Sequence, residues 1–370
     1  MRVEKIVLAL AFCLSAGAVV ADTGKKVGAY TLEAGHASLQ EFLLGDPVEP
    51  QDNVGTPARV ELGKQLFFDP RLSGDGNMSC ASCHNPLFGW SDGLPTARGF
   101  QSQILGRATP TIINTAYNRL QMWDGRKKSL EDQAMGPLEA GVEMNFDPEL
   151  MVEWIKTNPE YMAAFAKAYP GETVNPDVVS KAIAAFERTI VSRNSPFDQW
   201  VAGDANALSA SEVRGLEVFI DPEQGNCAAC HMGPNFTDDG FHNVGLASHG
   251  NANPDPGRYG QRPLGIMQGA FKTPTVRDVA LTAPYFHDGS ARTLAEVVDH
   301  YETGGLVKSH ISPNMKKLDL SAQQKEDLVA FMFALTSPQT AFVLPTLPSV
   351  ENPAAWASWS LESGTELAAK

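Results

Sequence analysis

Four of the five cysteines in this chain fall within two copies of one pentapeptide, Cys80-Ala81-Ser82-Cys83-His84 and Cys227-Ala228-Ala229-Cys230-His231. The fifth, Cys13, lies in an apolar leader, so none remains to form a structural disulfide elsewhere. In a CxxCH segment two thiols add across porphyrin vinyl groups and the adjacent imidazole reaches the iron, so each pentapeptide reads as a haem c attachment site. A zinc site would bring its ligand pairs closer together in sequence and would not require a histidine after each second cysteine. A thioredoxin-like redox pair belongs beside a βαβ pattern, and none is legible here. The two motifs are 147 residues apart, about one domain each.

The opening MRVEKIVLALAFCLSAGAVVADTG places Arg2 and Lys5 before an apolar run that ends in small residues at Val20-Ala21. This is the pattern of a signal peptide over residues 1–21, so the expected location is the periplasm. No later run is long enough to span a membrane. A net charge of −14 argues against a nucleic-acid partner, because phosphate binding needs the opposite sign.

The segments around the motifs repeat. Gly63 to Pro70 matches Gly215 to Pro222, each reading as the end of a helix stopped by Asp-Pro. Thr109-Pro110-Thr111 leads to Asp124-Gly125 and then Leu130, and Thr273-Pro274-Thr275 leads over the same intervals to Asp288-Gly289 and Leu294, 164 residues later. Self-similarity of this length implies a duplicated unit. Capping signals at Ser209/Glu212, Asn175-Pro176 and Ser321/Gln324 start further helices, and strand-type alternation is scarce. The expected fold is mainly α, with two cytochrome-c-like haem domains related by internal duplication. The expected division is a signal peptide (1–21), an N-terminal haem domain (22–193), a C-terminal haem domain (194–336) that opens with a bridge over 194–206, and a Pro-rich tail (337–370) that wraps back or frays.

The duplication also compares the two irons. His84 and His231 are the proximal ligands, and an iron whose opposite position is free can activate a small molecule, whereas one with both filled mainly moves electrons. Tyr301 stands seven residues after Leu294, and the equivalent residue in the first copy is Pro137, which has no ligating side chain. From the residues alone, Tyr301 is either an iron ligand or a helix-core aromatic, with His300 and Met315 as rival ligands.

The segments LGKQLFFDPRLS, CASCH, TPTIINTAYNRLQMWDGR, LEDQAMGPLEAGVEM, CAACH and TPTVRDVALTAPYFHDGS together resemble the bacterial di-haem cytochrome c peroxidase and MauG family over roughly residues 58–336. The resemblance implies that the haem on Cys80, Cys83 and His84 reacts with hydrogen peroxide. Glu143 would be its acid–base carboxylate, Gln133 the amide beside it, and Trp123 the relay toward the haem on Cys227, Cys230 and His231. MauG-like members carry tyrosine at the position of Tyr301 as the second haem's distal ligand. The loop from Gly89 to Gly106 contains no histidine, unlike that of typical peroxidases in the family, which again points to the MauG-like branch. Implied partners are peroxide and a protein electron donor or substrate: a cytochrome c, a cupredoxin, or a protein-bound Trp or Tyr. The alternatives are plain peroxide reduction with a small cytochrome or cupredoxin donor, and a non-enzymatic di-haem electron carrier. Two positions depart from the family pattern. The member that matures a tryptophylquinone has Trp where this chain has Gly225. The family's calcium site, with carbonyls matching Thr282 and Pro284, uses an Asn side chain where this chain has Ala108.

Overall fold

The computed structural model describes residues 24–349; the signal segment 1–21, Cys13 and the tail beyond 349 lie outside the described residues. The architecture is mainly helical. In the first half, α1 (Pro57–Phe68), α2 (Cys80–Cys83), α3 (Leu130–Glu139), α4 (Pro148–Thr157), α5 (Pro159–Ala168) and α6 (Pro176–Glu187) surround one apolar core. In the second half, α7 (Pro196–Val201), α8 (Ala210–Ile220), α9 (Leu294–Glu302) and α10 (Ala322–Ala334) surround another. Among the described residues the only sheets are two short antiparallel ribbons, Lys25–Val27 with Tyr30–Leu32 and Phe241–His242 with Phe271–Lys272.

The helices begin where side chains can satisfy free backbone donors. Asn175 accepts from Val178 N ahead of Pro176, and Ser209 with Glu212 and Ser321 with Gln324 form reciprocal capping boxes. In both halves the helix before the haem loop ends at an Asp-Pro or Asp-linked turn, at Asp69 and Asp221.

One contact recurs in both halves. α1 packs on α6 so closely that a Cβ on Gly63 would lie 1.8 Å from Ala182 O, and α8 packs on α10 so that a Cβ on Gly215 would lie 1.9 Å from Asp327 O. Any side chain at either glycine would force the helices apart, so the matched glycines of the repeat are close-crossing points. This parallel supports an internal duplication.

Each end of the described residues reaches toward the other half. Val27, Leu32, Leu39 and Phe42 enter the second core, although they precede the first haem motif. Segment 194–206, expected as a bridge, contributes buried Phe197, Trp200 and Val201 to that same core. Beyond α10 the described part of the expected 337–370 tail lies against the first half. Phe342 packs 5.2 Å from Phe68 and 5.1 Å from Trp90 between ring centres, and Gln65 Nε2 donates to Thr346 O at 3.0 Å.

Arg277 locks the N-terminal segment to the second core. Its fully buried guanidinium donates to Asp198 Oδ2 (2.9 Å), Pro234 O (2.7 Å) and Phe42 O (2.7 Å). Truncating one partner of a buried ion pair leaves an uncompensated charge, at a cost of about 3–5 kcal/mol. Arg277→Ala is therefore expected to lower the unfolding free energy by about that amount in urea denaturation of the haem-loaded protein. A change under about 1 kcal/mol would show that the side chain is replaceable.

Candidate haem centres and the wall between them

α2 presents Cys80 and Cys83, and His84 N bonds back to Cys80 O at 2.8 Å, which aims the histidine from the helix end. The second motif makes a tighter turn over Cys227–Ala229, with His231 N on Cys227 O at 2.9 Å. All four thiols are unpaired. His84 Nδ1 lies 3.2 Å from Trp90 O and His231 Nδ1 lies 3.2 Å from Phe236 O. A carbonyl partner makes Nδ1 the donor and leaves Nε2 to meet a metal. Burial pushes both imidazoles below their ordinary range, which favours the neutral form that ligates iron. Each motif faces a cavity, of about 600 Å³ in the first half and about 720 Å³ in the second. Two thiols, an oriented neutral imidazole and a largely apolar cavity fit haem c in both places.

The first cavity gathers the residues expected there. Gln133 and Pro137 from α3 line it with His84, and so does Glu143, whose amide bonds Ala140 O at 2.9 Å in the turn after the helix. Burial pushes the Glu143 carboxyl up, against the opposing pull of Arg126. Among the described residues no histidine besides His84 lines this cavity; Met78, Met122 and Met144 do. Glu187 of α6 also lines it, and sequence reasoning missed it. Its Oε2 is buried without a hydrogen-bond partner among the described residues, and burial pushes the carboxyl up to about 8. The available signal was its spacing: it stands four residues after buried Ile183, on the face that turns inward.

In the second cavity the repeat holds its register. α3 starts at Leu130 behind Ser129 and α9 at Leu294 behind Thr293, each cap accepting from a backbone N–H. Pro137 accordingly faces the first cavity and Tyr301 the second. The Tyr301 phenol makes no hydrogen bond among the described residues, and burial pushes it up. A phenolate there needs a nearby cation to offset the loss of solvent. The rival His300 is bonded elsewhere, with Nε2 2.8 Å from Val244 O. Met315 does line this cavity, in a loop whose Asn314 donates to Ala229 O of the attachment turn at 3.3 Å.

Trp123 lines both cavities, and its Nε1 donates to Ala108 O at 2.8 Å. Around it the halves exchange a reciprocal pair of bonds: Ala108 N to His287 O at 2.7 Å and Lys272 N to Trp123 O at 2.8 Å. Residue 272 is the repeat counterpart of 108, and 287 of 123. The contact is therefore of the isologous kind seen in two-fold dimers. The His287 ring lies 6.3 Å from the Trp123 ring, edge-on, and stacks 3.5 Å from Phe271.

The two departures from the family pattern have structural consequences. Thr282, Pro284 and Ala108 all line the first cavity. Calcium takes six to eight oxygens. Ala108 supplies none from its side chain, and its carbonyl is already held by Trp123, so the donors fit calcium poorly. At Gly225 a Cβ would lie 2.4 Å from Val218 O. A tryptophan there would require the haem loop to move away from α8.

Two haem c cavities that share one tryptophan in their common wall, with Glu143 and Gln133 lining the first and Tyr301 the second, define a two-haem redox protein of the c type. The comparisons with known proteins agree. Residues 57–206 match the family model described as di-haem cytochrome c peroxidase. The methylamine utilization protein MauG of Methylorubrum extorquens is 40% identical over 93% of this chain and 98% of its own length. The cytochrome c551 peroxidase of Pseudomonas aeruginosa is 37% identical over 83% of this chain and 85% of its own. Among solved structures, a MauG-like protein associated with microbial copper homeostasis aligns with a TM-score of 0.75 and 31% identity, covering 80% of this chain and 94% of that one. The chain belongs to the di-haem cytochrome c peroxidase and MauG family: it is a peroxidase-type oxidoreductase with two haem c groups.

Glu187 generates a prediction for stability. The carboxyl stays protonated in the fold up to about 8 but ionises near 4.5 once exposed. Between these values the unfolded state binds fewer protons, so this group's contribution to stability falls as pH rises through that window. Glu187→Gln is expected to remove that fall. In urea titrations its advantage over the wild type grows from pH 5 to pH 8. Identical pH profiles for the two proteins would show that the carboxyl is not protonated in the fold.

Proposed function

We propose that the protein activates hydrogen peroxide at the first haem, and that the second haem, ligated by His231 and Tyr301, draws the required electrons from a protein partner in the periplasm. The observation that carries this reading is the unequal lining of the two cavities: Glu143, Gln133 and Pro137 in the first, Tyr301 at the position of Pro137 in the second.

The first haem iron, held by His84, supplies the redox chemistry for O–O cleavage when peroxide is bound. Glu143 takes the proton from the inner peroxide oxygen and returns it to the outer one, which leaves as water. A carboxyl pushed up by burial suits both halves of that transfer, and such general acid–base catalysis contributes about 10²–10⁴-fold. Gln133 orients the peroxide by hydrogen bonding. Pro137 puts no ligating atom at the position that Tyr301 holds in the second cavity. Trp123, fixed by Ala108 O, lies where an electron passes between the haems. Two electrons and two protons complete the reduction of peroxide to two waters. Tyr301, as an anionic oxygen ligand, favours the oxidised second iron more than a thioether would. It would let an oxidising equivalent taken from peroxide be held at the second haem until a Trp or Tyr side chain of a partner protein supplies the electron. The close packing at Gly225 supports an exit route different from that of a member with tryptophan there. We take no step through calcium, whose donors fit poorly. The periplasmic assignment rests on the leader-like pattern of residues 1–21.

A second reading, plain peroxide reduction with a small cytochrome donor, draws on the similarity to the cytochrome c551 peroxidase. Steady-state assays with reduced cytochrome c separate the two. Slow turnover that needs no reductive pre-treatment is expected here, and rapid turnover would favour the scavenger. For Glu143→Gln, stopped-flow mixing with peroxide is expected to give a first-haem spectral change slowed by about 10²–10⁴-fold, with both haems still attached. An unchanged rate would remove Glu143 from the mechanism.

A further inference from the structure

Lys272 is a buried cation that the peroxide chemistry leaves unexplained. It is 8% exposed and is a lining residue of both haem cavities. An ammonium carries three donors, and among the described residues Nζ makes one hydrogen bond, to Thr273 O at 3.1 Å. The two nearby carboxylates serve other groups. Asp238 Oδ2 lies 2.8 Å from His242 Nε2, and Asp239 Oδ1 accepts from Arg119 N at 3.3 Å. Neither makes an ion pair with Lys272. Burial pulls the lysine below its ordinary range, and the fields of Asp239 and Asp238 only partly oppose that. A buried ammonium left this way is costly unless an anion reaches it.

The other cations on these walls do not fit the same role. Arg107 lines the first cavity, but its guanidinium is held by Asp255 (2.7 and 2.9 Å) and Asp124 (2.9 Å). Arg126 is held by Asp124. Lys316 lines only the second cavity and is exposed. Lys272 is also placed centrally, because its own amide bonds Trp123 O and its repeat counterpart is the uncharged Ala108. The duplicated wall therefore holds one such ammonium rather than two.

A haem bound in either cavity would bring two propionate carboxylates, the anions such an ammonium could meet. We propose that Lys272 is a shared propionate-binding site, its ammonium bridging a carboxylate of the first haem and a carboxylate of the second across the wall that holds Trp123. One positive charge then serves both cofactors: it orients their carboxylate edges toward the relay and stabilises the reduced state of both irons. The inference rests on the two attached haems and not on the peroxide mechanism, so it can fail while that mechanism stands.

The test is spectroelectrochemical titration of the full-length, haem-loaded protein carrying Lys272→Met or Lys272→Arg. In K272M both midpoint potentials are expected to fall together, on the order of tenfold in each reduction equilibrium, or about 59 mV for a one-electron couple. K272R keeps the charge and is expected to keep both potentials near the wild-type values. A shift at one haem only, or at neither, would overturn the shared site, and so would a K272R protein that behaves like K272M. If K272M fails to retain its haems, Lys272→Gln preserves a hydrogen-bond donor without the charge, and the same outcomes apply to it.

Discussion

Two backbone hydrogen bonds at the centre of the molecule set the relation between everything else. Ala108 N to His287 O and Lys272 N to Trp123 O tie equivalent strands of chain from the two halves to each other. They are short, mutual and formed by backbone groups that only a proline at residue 108 or 272 would remove. Because they run through residue 123 itself, they fix the indole in the wall common to both cavities rather than leaving it to side-chain packing. The chain ends reinforce the arrangement from outside: residues 27–42 enter the second core and Phe342 caps an aromatic cluster of the first. That cluster includes Trp90, whose carbonyl orients His84. The C-terminal strap therefore bears indirectly on the first iron's ligand.

On this near-symmetric frame the chemistry depends on departures from symmetry. Pro137 and Tyr301 occupy one helical register, yet only the second can reach a metal. The close-crossing helices α6 and α10 correspond through Gly63 and Gly215, and in the same frame Glu187 of the first cavity matches Met332 of the second. Trp123 matches His287, and Ala108 matches Lys272. Glu143, Glu187 and Gln133 thus line only the first cavity, and Tyr301, His242, His249 and His287 only the second, while both share Trp123 and Asp255. Duplicating a haem unit supplies two redox centres at a fixed separation; changing a handful of inward residues is enough to give them different work.

The sequence made much of this legible because the relevant signals are local. The CxxCH motifs, the capping boxes at Ser209 and Ser321, the Asn175-Pro176 start and the seven-residue step from Leu294 to Tyr301 depend on neighbours within a turn or two. What stayed hidden depends on distant contact. The 25–43 segment carries no marker of which core it joins, and 194–206 reads as a bridge because its buried residues, Phe197 and Trp200, find partners only in the folded second half. Gly63 and Gly215 were visible as matched positions, but their meaning lies in the carbonyls of Ala182 and Asp327 across the crossing. Lys272 looks like an ordinary surface lysine within a conventional-looking TP segment, and only the meeting of the two halves buries it. Glu187 was the one miss with a readable warning, a charge on the apolar face of α6.

The central claim is that the two irons are inequivalent, the first with an open face and the second closed by Tyr301. Low-temperature electron paramagnetic resonance of the fully oxidised protein tests it most directly, because it counts high-spin and low-spin haems separately. One high-spin centre and one low-spin centre in equal amounts are expected, with the low-spin signal lost or altered in Tyr301→Phe. Two low-spin centres in the wild type, or a low-spin signal untouched by that substitution, would contradict the assignment.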